Sequence, residues 1–188
     1  MIKSLTLYFI LFMTLIFIIQ NMVDLDDFAF VPALLLKRPW TLFTSIFLHA
    51  DISHLLFNMF ALFIFGSYLE RIIPQKDFLM LFLLSGIIGN IGYMVTTFDP
   101  SIPAVGASGG IYGIIGGLAT IRPFAIVYIN FVPLPMILAA TFWGISEFLG
   151  LFTPSYIARG AHLFGLLSGI IYALGIRRLL NYKKHSFF

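Results

Sequence analysis

Six apolar segments follow one another along the chain, and short polar breaks separate them. They cover about 5–23, 51–71, 78–98, 107–121, 134–152 and 158–179. Each is close to the roughly 20 residues that a helix needs to cross the hydrocarbon core of a bilayer. The breaks carry acidic residues or prolines, which are typical of turns between helices. The pattern predicts an all-α membrane protein, a single domain over 1–188 with six transmembrane helices.

The composition agrees with a domain built for lipid. Hydrophobic residues make up 60% of the 188 residues, charged residues 10%, and the mean hydropathy is +1.01. Soluble domains carry about 25% charged residues, so no added soluble domain is expected. The chain has no cysteine, which excludes disulfides, thiol nucleophiles and cysteine-ligated metals. No basic run is interleaved with aromatic residues, so a nucleic-acid partner is not expected.

The distribution of Lys and Arg predicts the orientation. With six spans, the two termini share one side with the second and fourth loops. That side would hold eight of the eleven basic residues: Lys3, Arg71, Lys76, Arg122, Arg177, Arg178, Lys183 and Lys184. The other side would hold Lys37, Arg38 and Arg159. The positive-inside rule then predicts a multi-pass protein of the cell membrane with both termini in the cytoplasm.

The first apolar segment is interpreted as a retained span. A signal peptide is the competing interpretation, but no small-x-small cleavage site precedes Asp24.

Three polar groups open three of the predicted helices, all at the extracytoplasmic end. They are His49-x4-His54-x3-Asn58 in the second, Gly106-Ala-Ser108-Gly109 in the fourth and Ala161-His162 in the sixth. Polar side chains inside membrane spans are costly and mark functional sites. The fourth segment has 15 residues, about 22 Å of helix against about 30 Å of hydrocarbon. Its outer end is therefore expected to lie below the membrane surface, where irregular backbone requires a water-filled cavity.

Two rows of small residues suggest which helices meet. Gly109, Gly113 and Gly117 form one row in the fourth segment. Ala161, Gly165, Gly169 and Ala173 form another in the sixth. Small residues let helix backbones approach closely in lipid. If these rows face each other, Ser108 and His162 come within reach.

Ser108 and His162 are the candidate nucleophile and base. A serine hydroxyl needs an adjacent base, and a neutral imidazole can take its proton and return it to a leaving amine. No Asp or Glu has a position that makes it an evident third member, and Glu147 is the only acid that could approach. A dyad with His162 oriented by packing is therefore favoured over a triad. Tyr112 follows Ser108 by one helical turn and could pack its ring on the imidazole.

His54 and Asn58 are candidates for stabilising an oxyanion. They are four residues apart and share one helix face, and both can donate hydrogen bonds. The Ser108 backbone N–H could add a third bond. His49 lies about 140° around the same helix, so it is expected to tie the first loop to the helix start instead.

These residues resemble the rhomboid family of intramembrane serine proteases over nearly the whole chain. The resemblance rests on the three motifs quoted above, in their order and on their spans, the last continuing to Gly165 and Gly169. It implies a rhomboid-like bundle with a short fourth helix. It also implies Ser–His cleavage of transmembrane segments of other proteins, with Gly106 and Tyr112 supporting the site.

The resemblance has one departure and leaves some questions open. Many family members carry Trp-Arg where this chain has Trp40-Thr41, and that arginine helps to anchor the first loop. The gating element and the oligomeric state are not specified, although the fifth segment is a candidate gate. The site is expected to open toward the extracytoplasmic side.

Two other classes of function remain as alternatives. A non-catalytic rhomboid-like factor that binds membrane proteins would share the fold. A small transporter is disfavoured because no pair of matching broken helices indicates inverted repeats. Zinc and aspartyl proteases are disfavoured because HExxH and a mid-membrane aspartate are absent. We therefore expect no metal and no cofactor.

Overall fold

The computed structural model of the protein describes residues 4–129, 131–153 and 157–185, with side chains up to 177. Its six longest helices are α1 (Leu5–Gln20), α2 (Ile52–Leu69), α3 (Gln75–Thr96), α4 (Ser108–Ile121), α5 (Met136–Gly150) and α6 (Arg159–His185). Some predicted features lie outside the described part: Lys3, Asn130, the Pro154–Ser155 turn, and the side chains of Arg178, Lys183 and Lys184.

Three of these helices are long and apolar enough to cross a membrane, namely α2, α3 and α6. The other three are apolar but shorter, with 16 residues in α1, 14 in α4 and 15 in α5. The helical membrane architecture therefore agrees with the prediction, and each predicted apolar segment overlaps one helix, although α3 begins three residues earlier and α6 continues to His185. The count of six membrane crossings stays a prediction.

Local sequence signals set the helix ends. Ser4 caps α1 by accepting a hydrogen bond from the backbone N–H of Leu7, and Asp51 caps α2 in the same way with His54 at 2.8 Å. Pro74 and Pro135 stand immediately before α3 and α5. A proline lacks the N–H that the first helical turn would leave unpaired, so these positions favour helix starts.

A short β-hairpin between α4 and α5 departs from the all-α prediction. Strand β1 (Ile126–Ile129) pairs antiparallel with β2 (Val132–Pro135), and Ile129 faces Val132 across the ladder. The β-branched residues of this segment favour extended backbone, and two prolines in β2 disfavour a helix. The prediction treated this stretch as an irregular boundary and started the next span at 134, two residues before α5 begins.

Helix α4 is the central helix of the domain. Between Gly109 and Ala119, all side chains are buried except Tyr112, which is half-buried. Five of its 14 residues are glycine, each of which costs roughly 0.5–1 kcal/mol relative to alanine in a helix interior. That cost is offset by close packing, because α3 and α6 press directly against its backbone.

Two pairs of glycines bring the backbones of α4 and α6 together, and we call these pairs the glycine seam. A methyl group on Gly165 would overlap the carbonyl oxygen of Gly109, and one on Gly169 would overlap that of Gly113. The prediction that the two small-residue rows meet is confirmed at these positions. It is wrong for Gly117, because a Cβ at that position would lie 2.9 Å from the Leu81 side chain of α3.

The same close approach involves α3 and α6. A Cβ on Gly89 would lie 2.8 Å from the carbonyl oxygen of Ala161, and one on Gly92 would lie 2.6 Å from that of Gly160. Helix α6 is therefore held against the backbones of two other helices near its start.

The first loop, residues 21–51 between α1 and α2, is tied to the segment that leads into α4. Phe30 is fully buried and forms a two-way backbone bridge with Ala104, at 3.2 and 2.8 Å. The Trp40 indole N–H donates to the carbonyl oxygen of Asp27 at 3.1 Å, and Arg38 pairs with the Asp27 carboxylate at 2.8 Å. The loop thus supports the backbone just before Ser108.

Thr41 and Asn90 supply further anchors for that loop. Thr41 is buried, and its hydroxyl donates to the carbonyl oxygen of Arg38 at 2.7 Å. The Asn90 amide of α3 donates to the carbonyl oxygen of Leu42 and to the Ser45 hydroxyl, at 2.8 and 2.9 Å. The chain therefore anchors the loop without an arginine at position 41.

We expect Gly169→Ala to destabilise the protein, because the new methyl group would force α4 and α6 apart. Overpacking of this kind costs about 1–3 kcal/mol and should lower the thermal midpoint of the purified protein in detergent. Gly175→Ala is the matched control on the same helix, since nothing lies within 4 Å of its Cβ position. That variant should be neutral or slightly stabilised. Equal thermal midpoints for the two variants would contradict the claim that the glycine seam leaves no room for a methyl group.

Candidate active site

Ser108 is the first residue of α4, directly after a backbone turn that only glycine accommodates easily. Gly106 has a φ of +123°, and a Cβ there would lie 2.6 Å from the His54 ring. The Gly106 N–H donates to the carbonyl oxygen of Ser45 at 2.9 Å. Glycine is thus needed both for the left-handed conformation and for the approach of the imidazole.

The structure brings Ser108 and His162 together. The Nε2 atom of His162 lies 2.8 Å from the Ser108 hydroxyl oxygen, although the residues are 54 positions apart in sequence. The seam explains this proximity, because Gly109 follows the serine directly and touches Gly165, less than one turn after the histidine. At this distance the hydroxyl and the imidazole can share a proton.

Tyr112 packs flat against the imidazole of His162. The two ring centroids are 4.5 Å apart and the planes differ by 6°. One turn of α4 separates the tyrosine from Ser108, so the same helix carries the hydroxyl and the ring that fixes the histidine plane.

Glu147 and Arg159 extend this group beyond the predicted residues. The Tyr112 hydroxyl donates to Glu147 Oε1 at 2.6 Å, and an Arg159 guanidinium nitrogen lies 3.4 Å from Oε2. Glu147 Oε1 also lies 3.1 Å from His162 Nδ1. In the sequence analysis Glu147 was the only acid able to approach, and Arg159 counted only among the basic residues of the extracytoplasmic side. The position of Glu147 inside an apolar segment could have indicated this pair, because a buried carboxylate there needs a cation close by.

A cavity of about 620 Å³ opens beside the serine. Its polar lining includes His54, Asn58, Ser108, Tyr112 and His162. The remaining wall is largely apolar and aromatic, with Phe57, Phe65, Ile111, Ile115 and Trp143. A mostly apolar cavity with a few converging polar groups is the usual form of a binding site for a small ligand or peptide.

His54 and Asn58 lie on the cavity side of α2. The Asn58 side-chain amide donates to the backbone carbonyl oxygen of His54 at 2.8 Å, which uses one of its two hydrogens. His54 Nδ1 accepts a long hydrogen bond from the backbone N–H of Ala50 at 3.5 Å. With Nδ1 as the acceptor, the ring proton resides on Nε2.

His49 lies behind His54 and is not among the residues that line the cavity. It is fully buried, its ring centroid is 5.2 Å from that of His54, and its backbone exchanges hydrogen bonds in both directions with the Gln20 side chain. Burial lowers the pKa of His49 to about 4, with a smaller contribution from His54. The residue is therefore neutral at neutral pH and connects the end of the first loop to α1.

Comparison with known proteins gives a family match over most of the chain. The family model for the rhomboid domain matches residues 36–179. The chain is 40% identical over 133 residues to YdcA of Bacillus subtilis, which is named as a rhomboid protease; the match covers 70% of this chain and 64% of YdcA.

Two further relatives carry similar names. The mitochondrial RHOMBOID-like protein 12 of Arabidopsis thaliana is 31% identical over 181 residues, which cover 86% of this chain and 52% of that protein. The rhomboid protease GluP of Bacillus subtilis is 44% identical over 79 residues, which cover 42% of this chain and 15% of GluP. The chain thus spans less than two thirds of the length of these relatives. With the match to the family model, these similarities establish that the chain belongs to the rhomboid family.

Proposed function

We propose that this chain is an intramembrane serine endopeptidase with Ser108 as nucleophile and His162 as general base. The observation that carries the proposal is the 2.8 Å contact between the Ser108 hydroxyl and His162 Nε2, at the edge of a cavity that can admit a peptide. The family membership and the names of the relatives favour proteolysis over transport.

In the first half of the reaction, His162 Nε2 takes the hydroxyl proton as Ser108 Oγ attacks the carbonyl carbon of the scissile bond. A tetrahedral intermediate with a negatively charged oxygen forms. Tyr112 keeps the imidazole plane fixed during this step, since the stacked ring blocks rotation of the histidine.

In this proposal three donors stabilise the oxyanion. Two are the Nε2–H of His54 and the second amide hydrogen of Asn58, both on the cavity wall. The third is the backbone N–H of Ser108, which lies in the first turn of α4. N–H groups in a first turn have no partner within their helix, and the helix dipole favours negative charge there.

In the second half, the imidazolium of His162 gives its proton to the leaving amine, and the carbonyl remains esterified to Ser108. Water then attacks the ester with the neutral His162 as base, and His162 returns that proton to Ser108 Oγ as the carboxylic acid product leaves. Both halves of the reaction use Ser108 Oγ and His162 Nε2, so neither a metal nor a cofactor is required in this mechanism.

The proposed membrane setting has six spans, both termini in the cytoplasm and the site open toward the extracytoplasmic side. The length of α4 supports a sunken serine, since its 14 residues extend about 21 Å against about 30 Å of hydrocarbon. Water must then reach the cavity from the outer surface.

The proposed substrates are transmembrane segments of other membrane proteins. A carbonyl inside an intact helix accepts a backbone hydrogen bond and is shielded by its neighbours, so the scissile region must be unwound. Helix-destabilising residues and small side chains near the cleavage site would favour that unwinding and entry beside Phe65 and Trp143.

We expect Ser108→Ala and His162→Ala each to reduce cleavage of a model transmembrane substrate to background. Each change removes one member of a unit, and comparable losses in serine proteases reach about 10⁶-fold. Purified protein in liposomes is the assay, and a fluorophosphonate that reacts with nucleophilic serines should label Ser108. Ser101→Ala, at an exposed loop serine, is the control and should leave cleavage and labelling intact. Cleavage that survives Ser108→Ala would reject the nucleophile, and failure of the wild type on several substrates would favour a binding factor.

We expect Asn58→Ala to lower kcat by about 10²–10³-fold while KM changes little, because an oxyanion donor acts in the transition state. Steady-state kinetics on the same substrate measure this. Asn21→Ala is a matched control, since Asn21 also donates its amide to the carbonyl oxygen four residues earlier, at 2.7 Å, but lies at the exposed end of α1. A change confined to KM in Asn58→Ala would contradict the oxyanion role.

A further inference from the structure

Glu147 is a buried acidic residue inside an apolar helix. It is the only charged residue of α5, and its side chain is 9% exposed. A carboxylate in such surroundings is costly unless donors surround it. The buried carboxylate of Glu147 is therefore expected to have donors close to it.

Three donors from two other helices converge on this carboxylate. Tyr112 of α4 donates to Oε1 at 2.6 Å, and the Arg159 guanidinium of α6 approaches Oε2 at 3.4 Å. The third is the imidazole of His162, with Nδ1 at 3.1 Å from Oε1. The Arg159 guanidinium thus supplies a positive charge beside the carboxylate.

The protonation of His162 makes the third contact informative. If Nε2 is to accept the Ser108 proton, the neutral ring must carry its own proton on Nδ1. Nδ1 is buried, and no aligned hydrogen bond to it exists among the described residues. Glu147 Oε1 is within hydrogen-bond distance of this nitrogen, at 3.1 Å.

We propose that Glu147 is a positioning residue for catalysis, which makes the site a Ser108–His162–Glu147 triad rather than a dyad. Resting on the function proposed above, this inference gives the carboxylate two tasks. It holds the imidazole in the tautomer with a free Nε2, and it stabilises the imidazolium that forms when Ser108 loses its proton.

A purely structural role for Glu147 uses different contacts. In that case the carboxylate would only fasten α5 to α6 through Arg159 and to α4 through Tyr112. Both roles predict lower stability when Glu147 is replaced, so stability alone does not distinguish them. The state of the His162 ring and the effect on kcat do.

The test compares E147Q, E147D and Y112F in detergent-purified protein that has been checked for folding by thermal unfolding. E147Q keeps the size of the side chain and removes its charge. It should lower kcat by about 10²-fold or more with KM unchanged, as amide replacement of a triad carboxylate does. E147D keeps the charge at a greater distance and should retain more activity than E147Q. Glu70→Gln, at an acid that bonds the start of α1 instead, is the matched control and should keep wild-type kinetics.

Y112F separates the two roles because it keeps the stacked ring and removes only the hydroxyl that reaches Glu147. A smaller loss in Y112F than in E147Q supports direct action of the carboxylate on His162. Equal losses would overturn the proposal, because Glu147 would then act through Tyr112.

Nitrogen-15 NMR of histidine-labelled protein gives a readout that needs no substrate. The chain has four histidines, and the His162→Ala spectrum assigns the signals of His162. Wild type should show the Nδ1-protonated tautomer, and E147Q should show a mixture. Identical His162 signals in both proteins would overturn the proposal.

The outcomes also separate this inference from the proposed function. If cleavage requires Ser108 but E147Q has wild-type kcat, the triad alone fails. If wild type cleaves nothing, the protease function fails, and the tautomer measurement still tests the Glu147 contact. If E147Q does not fold, the E147D variant provides the test, because its shorter side chain moves the carboxylate away from His162. A wild-type kcat in E147D would then overturn the proposal.

Discussion

The backbone contact between α4 and α6 is the constraint on which the site depends. Gly109 and Gly113 touch Gly165 and Gly169 with no side chain between the helices. The serine and the histidine stand next to this contact, one at the head of each helix. Their separation is therefore set by the meeting of two rigid backbones rather than by flexible side chains. Gly117 does not take part, because α4 turns that face toward α3.

The cost of burying polar groups is the second constraint. The polar side chains of the site reduce this cost because each contacts another polar side chain. Ser108 meets His162, which stacks on Tyr112, and both rings reach the Glu147 carboxylate. Arg159 supplies the opposite charge. In an apolar surrounding each of these groups would be costly alone, whereas here each lies beside a polar or charged partner. The contacts that stabilise the fold here thus also hold the geometry that the proposed reaction needs.

Much of this arrangement is readable in the sequence, because lipid imposes a simple pattern. Helix positions follow from runs of apolar residues, and the encounter of Ser108 with His162 follows from two rows of small residues at matching depth. The partners of Glu147 do not follow, since the rotation of α5 against its neighbours decides which residues it meets, and Arg159 is twelve positions away. The hairpin at 126–135 was also missed, because a short apolar stretch with prolines has no helical or strand period long enough to recognise.

The bare seam has a consequence for how such a domain can vary. A contact made of backbone alone offers no side chain whose size could be adjusted, so it tolerates almost no exchange and needs no compensating partner. Variation is left to the outward faces, such as Leu11 of α1 and Phe142 of α5, which are 66% and 62% exposed. Sequences that share this domain can therefore change their outward-facing side chains to suit bilayers of different thickness and composition, while the interior contact stays the same.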